Sequence, residues 1–162
     1  MTTRDQGPTI AEVDERPTVS IRDRVPMNEL TGFFDGSFAT LAAALGASGA
    51  TPTGAPFALY RGFPTDEVDV EVGFPLDGPV EEAVVAAHPG TQASTLPGGE
   101  VATTVHRGGF DGLGGAWQSL AEWISAQGRT MGPIMWEVYL TEPSPDMDPA
   151  ELRTELCWLL ER

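Results

Sequence analysis

The chain has 162 residues, 41% of them hydrophobic and 20% charged, which is typical of one globular domain and too short for two ordinary ones. Its formal net charge is −15, because 24 acidic residues outnumber nine basic residues that are all arginine. Such a surface repels phosphate backbones and excludes direct binding of nucleic acid.

Local patterns exclude further classes. Cys157 is the one cysteine, so an intrachain disulfide and a cysteine-based metal cluster are ruled out. His88 and His106 lack HxxH or HExxH spacing, and the sequence predicts neither a metal nor a cofactor. No apolar run approaches the roughly 20 residues of a membrane helix, and the N-terminus lacks the apolar core of a secretory signal. We therefore expect a cytoplasmic protein without membrane contact, either a monomer or a homodimer.

The predicted elements begin after a polar, patternless stretch. Residues 1–16 predict a disordered N-terminal arm, and residues 17–162 predict a single domain. Its first half is predicted to contain a strand, a helix with apolar residues at helical spacing, and two further strands. In chain order these are Thr18–Val25, the helix through Phe34, Phe38, Leu41 and Leu45, Phe57–Tyr60 and Asp69–Phe74.

The second half is predicted to contain the same elements. A Pro- and Gly-containing segment, Leu76–Gly99, joins the halves, and within it Pro79–Ala87 predicts either a strand or a helical turn. The elements that follow are Val101–His106, the helix through Leu113, Trp117, Leu120 and Ile124, Ile134–Leu140 and Leu152–Leu159. Gly49 and Gly128 follow the two helices where a left-handed C-cap is expected.

These two halves are an internal repeat. Phe34–Tyr60 aligns with Leu113–Tyr139 at a constant offset of 79 without a gap, with an ordered series of identical or similar residues. We place the repeats at about 17–76 and 99–160. Two βαββ units predict an α+β fold, with antiparallel sheet on one side and two helices packed behind it.

Four segments carry a resemblance to a known family. They are DVEVGFPL from Asp69, GGEVATTVHRGGFDGLGGAWQSLAEWI from Gly98, WEVYLTEP from Trp136 and ELRTEL from Glu151. In their order and spacing they resemble the GyrI-like, or AraC-type effector-binding, small-molecule-binding domains over about residues 18–160. The resemblance implies two repeats related by a pseudo-twofold axis, with a ligand groove between them. It also implies that hydrophobic, cationic or planar molecules bind there, and that Glu137 lies at the groove floor.

The same resemblance leaves two functions open. Some family members form the ligand-binding half of multidrug-sensing transcription activators, but no helix-turn-helix domain fits before Thr18, so this chain resembles the stand-alone members. Those bind a toxic protein or drug, or hydrolyse cyclopropane-bearing DNA-alkylating natural products. The first hypothesis is therefore a module that binds xenobiotics for sensing or sequestration. The second is a hydrolase that uses the same aromatic pocket with Glu137 and Tyr139.

The residues themselves also single out Glu137. It interrupts the apolar strand PIMWEVYL, and burying an unpartnered carboxylate costs several kcal/mol. Its repeat mate is Ala58, and a charge present in one copy alone favours a site over a structural role. The alternative is that Glu137 points to the solvated face of the sheet or pairs with an arginine such as Arg129.

Tyrosine and tryptophan side chains near Glu137 are further candidates. Tyr139 lies two residues on, so it shares the face of Glu137, and it can hydrogen-bond a ligand or simply pack. Tyr60 is its repeat mate. Trp136 alternates with Glu137, so we expect it to point to the helix-packed side as a core residue.

Helix and turn residues complete the candidate ligand site. On the second helix, Trp117 continues the apolar stripe and is expected in the core, whereas Trp123 falls off the stripe and can lean over the groove. Phe34 and Phe110 lie near the starts of the helical segments, either lining the pocket or packing in the core. His106 ends a strand and is either an acid–base group or ligand contact or a capping or turn histidine.

Overall fold

A computed structural model describes residues 7–49, 51–62, 66–141 and 148–161. The chain divides into two compact units. The N-unit is Asp14–Gly98, and the C-unit combines Gly99–Arg162 with Met1–Val13. Each unit contains four strands and one long helix, so the predicted α+β class is confirmed.

The N-unit is an antiparallel sheet with strand order β5-β2-β4-β3. Its elements are β2 (Arg16–Pro26), α1 (Leu30–Ser48), β3 (Phe57–Arg61), β4 (Glu67–Pro75), α2 (Glu82–Ala87) and β5 (Thr91–Leu96). A 3-10 turn, Met27–Glu29, leads into α1. Helix α1 packs on β2 and β4.

The C-unit has strand order β1-β6-β8-β7, again antiparallel. Its elements are β1 (Thr9–Val13), β6 (Gly99–Arg107), α3 (Leu113–Ala126), β7 (Thr130–Tyr139) and β8 (Arg153–Glu161). Further 3-10 turns lie at Phe110–Gly112 and Pro149–Glu151. Helix α3 packs on β6 and β7.

The strand ladders confirm the internal repeat. In the N-unit Ala58 lies opposite Val72, and in the C-unit its repeat mate Glu137 lies opposite Leu156. Both helices also end as predicted, since Gly49 and Gly128 have positive φ angles of 72° and 74°. Glycine adopts this left-handed conformation without the penalty that a Cβ atom imposes.

The face that α1 turns to the sheet differs from the predicted stripe. Ser37, Leu41 and Ala44 are its buried residues, whereas Phe34 and Phe38 are half-buried along one edge of that face. Small side chains therefore occupy two of the three central positions. Phe38 contacts the sheet from the edge of that face, where its ring meets Phe74 of β4 with the centroids 6.0 Å apart.

The N-terminal arm was predicted wrongly over residues 9–13, which form strand β1. This strand pairs with β6, with Thr9 opposite Thr103 and Val13 opposite Gly99. This strand is stabilised by backbone hydrogen bonds to a strand that is distant in the sequence. The hydrophobic pattern of a polar segment gives no sign of such bonds. The segment after Pro79 forms helix α2, as one of the two alternatives predicted, and is followed by strand β5.

One helical segment is longer than the sequence suggested. The turn and α1 together, Met27–Ser48, span 22 residues and contain an 18-residue window with a mean hydropathy of 1.2, enough by length and composition alone to cross a membrane. The sequence still contains no unbroken apolar run of about 20 residues, because Asp35 interrupts this segment and small residues supply much of its average hydropathy. A core helix of a soluble protein meets the same criteria, and α1 packs on the sheet through Ser37, Leu41 and Ala44.

Candidate functional site

Strand β7 presents Glu137 to the helix side of the C-unit. Side chains alternate along a strand, so Met135, Glu137 and Tyr139 share one face. Met135 lies opposite Trp158 on β8, and the ring of Trp158 contacts Trp117 of α3. Since directly opposed residues share a face, Glu137 points toward α3. Its exposed fraction is 6%, so it does not lie on a solvated face.

Both oxygens of Glu137 accept hydrogen bonds. The indole N–H of Trp117 donates to Oε2 across 2.9 Å, and the hydroxyl of Tyr139 donates to Oε1 across 2.8 Å. Both donors are uncharged. These bonds offset part of the cost of burying a carboxylate.

The indole of Trp117 also packs against a second tryptophan. It meets Trp158 edge to face, with ring centroids 5.5 Å apart and an interplanar angle of 81°, a favourable geometry for aromatic pairs. Trp158 in turn donates its indole N–H to the carbonyl of Gly132 across 2.9 Å. Trp117, Trp158, Tyr139 and Glu137 are therefore connected side chains of one cluster, which we call the Glu137 cluster.

The expected orientation of Trp136 was wrong. Trp136 lies opposite Cys157 and points to the face away from α3, where it is only 2% exposed. Its indole nitrogen is buried without a hydrogen-bond partner among the described residues. Alternation along β7 was read correctly, but which of the two faces α3 covers depends on packing that a single strand does not reveal.

His106 lies on the same face of the C-unit sheet as the cluster. It is opposite Thr154 on β8, which is opposite Tyr139 on β7, so one strand separates the two side chains. Its Nε2 lies 3.0 Å from the carbonyl oxygen of Gly109. A Cβ atom on Gly112 would come within 2.9 Å of the imidazole. The ring thus packs into the turn before α3, and ligand contact by His106 stays a prediction.

Four further residues were predicted to contact the ligand. Trp123 is half-buried on α3, six residues beyond Trp117. Tyr60 is half-buried on β3 of the N-unit, opposite Val70. Phe34 belongs to an aromatic row in the N-unit and lies 6.4 Å from Phe38 between ring centroids. The side chain of Phe110 lies outside the described part of the structure. Ligand contact by each of these residues stays a prediction.

Sequence reasoning missed a buried acidic group in the N-unit. Glu71 is 1% exposed, accepts a 2.5 Å hydrogen bond from Ser20 and pairs with Arg61 at 2.7 Å. Burial raises the pKa of Glu71, but hydrogen bonds from Ser20, Ser94 and Arg61, with the charge of Arg61, outweigh burial and bring the pKa below its usual value. The alternation of DVEV predicted the face of the strand on which Glu71 lies, but not the hydrogen-bond donors that stabilise its buried carboxylate.

A separate open cleft of about 600 Å³ lies in the N-unit where β2 leads into α1. Its lining contains no predicted site residue and consists of Asp23, Arg24, Val25, Pro26, Asn28, Glu29, Gly32 and Phe33. Within the described ranges, no group of three or more His, Cys, Asp or Glu side chains is placed to hold a metal ion.

Comparison with known proteins identifies the family. The model of the GyrI-like small-molecule-binding domain matches residues 6–161. This chain belongs to the GyrI-like family. No curated protein matches the chain.

Solved structures share the GyrI-like fold. The C-terminal domain of EcmrR has a TM-score of 0.77 and 21% identity, covering 96% of this chain and 97% of that domain. The chain spans only 57% of the longer EcmrR in its complex with DNA. A hydrolase from Listeria innocua has a TM-score of 0.70 and 13% identity, covering 98% and 94%. SAV2435 bound to tetraphenylphosphonium has a TM-score of 0.68 and 12% identity, covering 95% and 93%.

Proposed function

We propose that this GyrI-like domain binds hydrophobic, cationic or planar small molecules at the Glu137 cluster, for sensing or sequestration. The observation that carries the proposal is a buried carboxylate, Glu137, that accepts hydrogen bonds from the aromatic side chains of Trp117 and Tyr139. A negative charge surrounded by aromatic side chains in a poorly hydrated place attracts a cation more strongly than the same charge in water.

The aromatic members of the cluster favour the same ligand class. A cation over the face of tryptophan or tyrosine gains roughly 0.5–2 kcal/mol per ring, more when water is excluded. Trp117 and Tyr139 are both half-buried, so parts of their rings stay accessible. SAV2435, which has the same fold, is bound to tetraphenylphosphonium in its solved structure, a lipophilic cation of this chemistry.

Comparison of the two units supports a ligand role over a folding role. The N-unit builds the same ladder with Ala58, which is fully buried, at the place of Glu137. The repeat itself therefore does not require a carboxylate at this place, and its presence in the C-unit alone supports a ligand role.

Calorimetric titration with tetraphenylphosphonium tests the proposal. We expect Glu137→Gln to weaken binding at least about tenfold, because removing one member of a partly desolvated charge pair costs more than the about 1.4 kcal/mol that a factor of ten represents. Glu122→Gln is the matched control, since Glu122 is exposed on α3 and its replacement changes the net charge equally. Equal affinity of the wild type and Glu137→Gln would contradict the proposal.

A hydrolase is the second candidate. Two observations favour it: a protein described as a hydrolase shares the fold, and the Tyr139 hydroxyl lies 2.8 Å from a Glu137 oxygen. Glu137 would accept a proton from the attacking water as its oxygen bonds to the ring carbon and the ring bond breaks, and it would return that proton to the leaving group. Tyr139 would donate a hydrogen bond to the electrophile after exchanging its present bond to Glu137 for one to the substrate. The test is mass spectrometry after incubation with a cyclopropane-bearing alkylator. Ring-opened product that disappears in Glu137→Gln favours hydrolysis, whereas recovery of unchanged compound favours binding.

The proposed cellular setting follows from the same chemistry. We place the domain in the cytoplasm, as a monomer or homodimer, where ligand binding either sequesters a xenobiotic or is relayed to transcription by a separate DNA-binding partner. EcmrR, whose C-terminal domain has the same fold, is found in a complex with DNA. The net charge of −15 opposes direct contact of this chain with DNA.

A further inference from the structure

We infer that Trp117 is a positioning residue for Glu137. The two side chains form a pair whose members depend on each other, and the pair makes a ligand site at a position that is used for packing in the other repeat. The effect on ligand affinity rests on the function proposed above. The pairing itself does not, because it concerns the folded protein without ligand.

The first support is a matched aromatic contact in the two units. In the C-unit, Trp117 of α3 meets Trp158 of β8 edge to face, at 5.5 Å and 81°. In the N-unit, Phe38 of α1 meets Phe74 of β4 at 6.0 Å and 77°. Residues 38 and 117 differ by the repeat offset of 79. The helix of each unit is thus placed on its sheet through the same edge-to-face contact.

The second support is that both members of the pair are replaced by apolar residues in the other repeat. Ala58 and Glu137 are also separated by 79 residues, and both are buried, at 0% and 6% exposure. The N-unit therefore combines phenylalanine with alanine where the C-unit combines tryptophan with glutamate. Phenylalanine has no N–H to donate and alanine has no oxygen to accept, so each unit is internally matched.

Physical chemistry explains why a mixed pair is unfavourable. The indole N–H of Trp117 points into the protein, where an acceptor stabilises it, and a buried carboxylate needs donors. The bond from Trp117 to Oε2 satisfies both requirements. With the indole held by Trp158 and the other oxygen bound by Tyr139, the carboxylate has one orientation when a ligand arrives.

A double-mutant cycle on stability tests the pair without any ligand. Trp117→Phe and Glu137→Ala should each lower the urea midpoint of unfolding. The double variant, which carries the pair found in the N-unit, should lose clearly less than the sum of the single losses. Trp123→Phe combined with Glu137→Ala is the matched control, because Trp123 is a half-buried tryptophan on the same helix, and we expect its losses to add. Additive losses for Trp117→Phe and Glu137→Ala would overturn the inference.

A second cycle measures the positioning effect on binding. Trp117→Phe keeps an aromatic ring but loses the N–H, and we expect it to weaken tetraphenylphosphonium binding about tenfold, the scale of one hydrogen bond to a charged group. In the Glu137→Gln background the same change should have little further effect. An equal loss of affinity in both backgrounds would show that Trp117 contributes only through contact of its ring with the ligand, which would overturn its positioning role.

The two proposals fail in distinguishable ways. If the wild type does not bind tetraphenylphosphonium, the proposed function fails, and the stability cycle alone decides whether Trp117 and Glu137 are a pair. If the wild type binds and Trp117→Phe binds equally well, the proposed function survives and the positioning role is overturned.

Discussion

Tyr139 donates its hydroxyl hydrogen to Oε1 of Glu137 across 2.8 Å, from a position two residues further along the same strand. Removing this hydroxyl with Tyr139→Phe should lower the free energy of unfolding by about 1.5–3 kcal/mol, the usual range for hydrogen bonds to charged groups. Urea denaturation measures the loss. In a Glu137→Gln background the loss should shrink, since the acceptor is no longer charged. An unchanged loss there would show that the hydroxyl contributes through other contacts.

Arg61 should matter more for stability than Arg22, although both form ion pairs on the N-unit sheet. Arg61 pairs with Glu71, whose side chain is 1% exposed, whereas Arg22 pairs with Asp69 and is itself 44% exposed. We expect Arg61→Met to lower the free energy of unfolding by about 1.5–3 kcal/mol and Arg22→Met by about 0–1 kcal/mol. Equal losses in urea denaturation would contradict the assignment of Glu71 as a buried, paired group.

Glu71 should also make stability depend on pH. Its pKa is lowered in the folded state from the model-compound value of 4.5, so its ionised form stabilises the fold fully above that unfolded-state value. The contribution is lost as pH falls below 4.5 and through the lower folded-state pKa. Unfolding measured between pH 3 and 7 should therefore show that the stability advantage of the wild type over Glu71→Gln shrinks in acid. A constant advantage over this range would be inconsistent with the lowered pKa.

Gly132 is expected to tolerate no side chain. A Cβ atom there would lie 2.7 Å from the carbonyl oxygen of Leu159, at the irregularity in the β7–β8 ladder between Met131 and Met135. Gly132→Ala should lower the free energy of unfolding by about 1–3 kcal/mol. It should also shift the near-ultraviolet signal of the tryptophans, because the Gly132 carbonyl accepts the Trp158 indole N–H.

The control is Gly78→Ala, since a Cβ atom on Gly78 would meet nothing within 4 Å. We expect this variant to retain the stability and the aromatic spectrum of the wild type. If Gly132→Ala behaved the same way, the close approach of β7 and β8 would not be needed to hold Trp158.

Much of the fold could be predicted because the repeat displays its pattern twice. Helical spacing located α1 and α3, and alternation located β4 and β8. Strands β1 and β5 were not predicted, since neither TIAEV nor TQASTL has a clear apolar face. Both are joined to the sheet mainly through backbone hydrogen bonds to β6 and β2, which side-chain patterns do not report.

The candidate site was only half visible in the sequence. Glu137 stood out as a lone carboxylate in an apolar strand, and Tyr139 followed from alternation. Trp117 was assigned to the core, because its position on the apolar stripe of α3 gives no sign of what its N–H meets. A usable signal did exist: Phe38 and Ala58 differ from Trp117 and Glu137 together, and paired differences between repeats point to paired contacts.

Strand β1 gives the chain an unexpected connectivity. Residues 9–13 precede the N-unit in the sequence but join β6, so the unit that carries Glu137 is assembled from segments on either side of the N-unit, while the N-unit is made from one continuous stretch. A domain or tag fused ahead of residue 7 is therefore tethered directly to the Glu137-bearing unit.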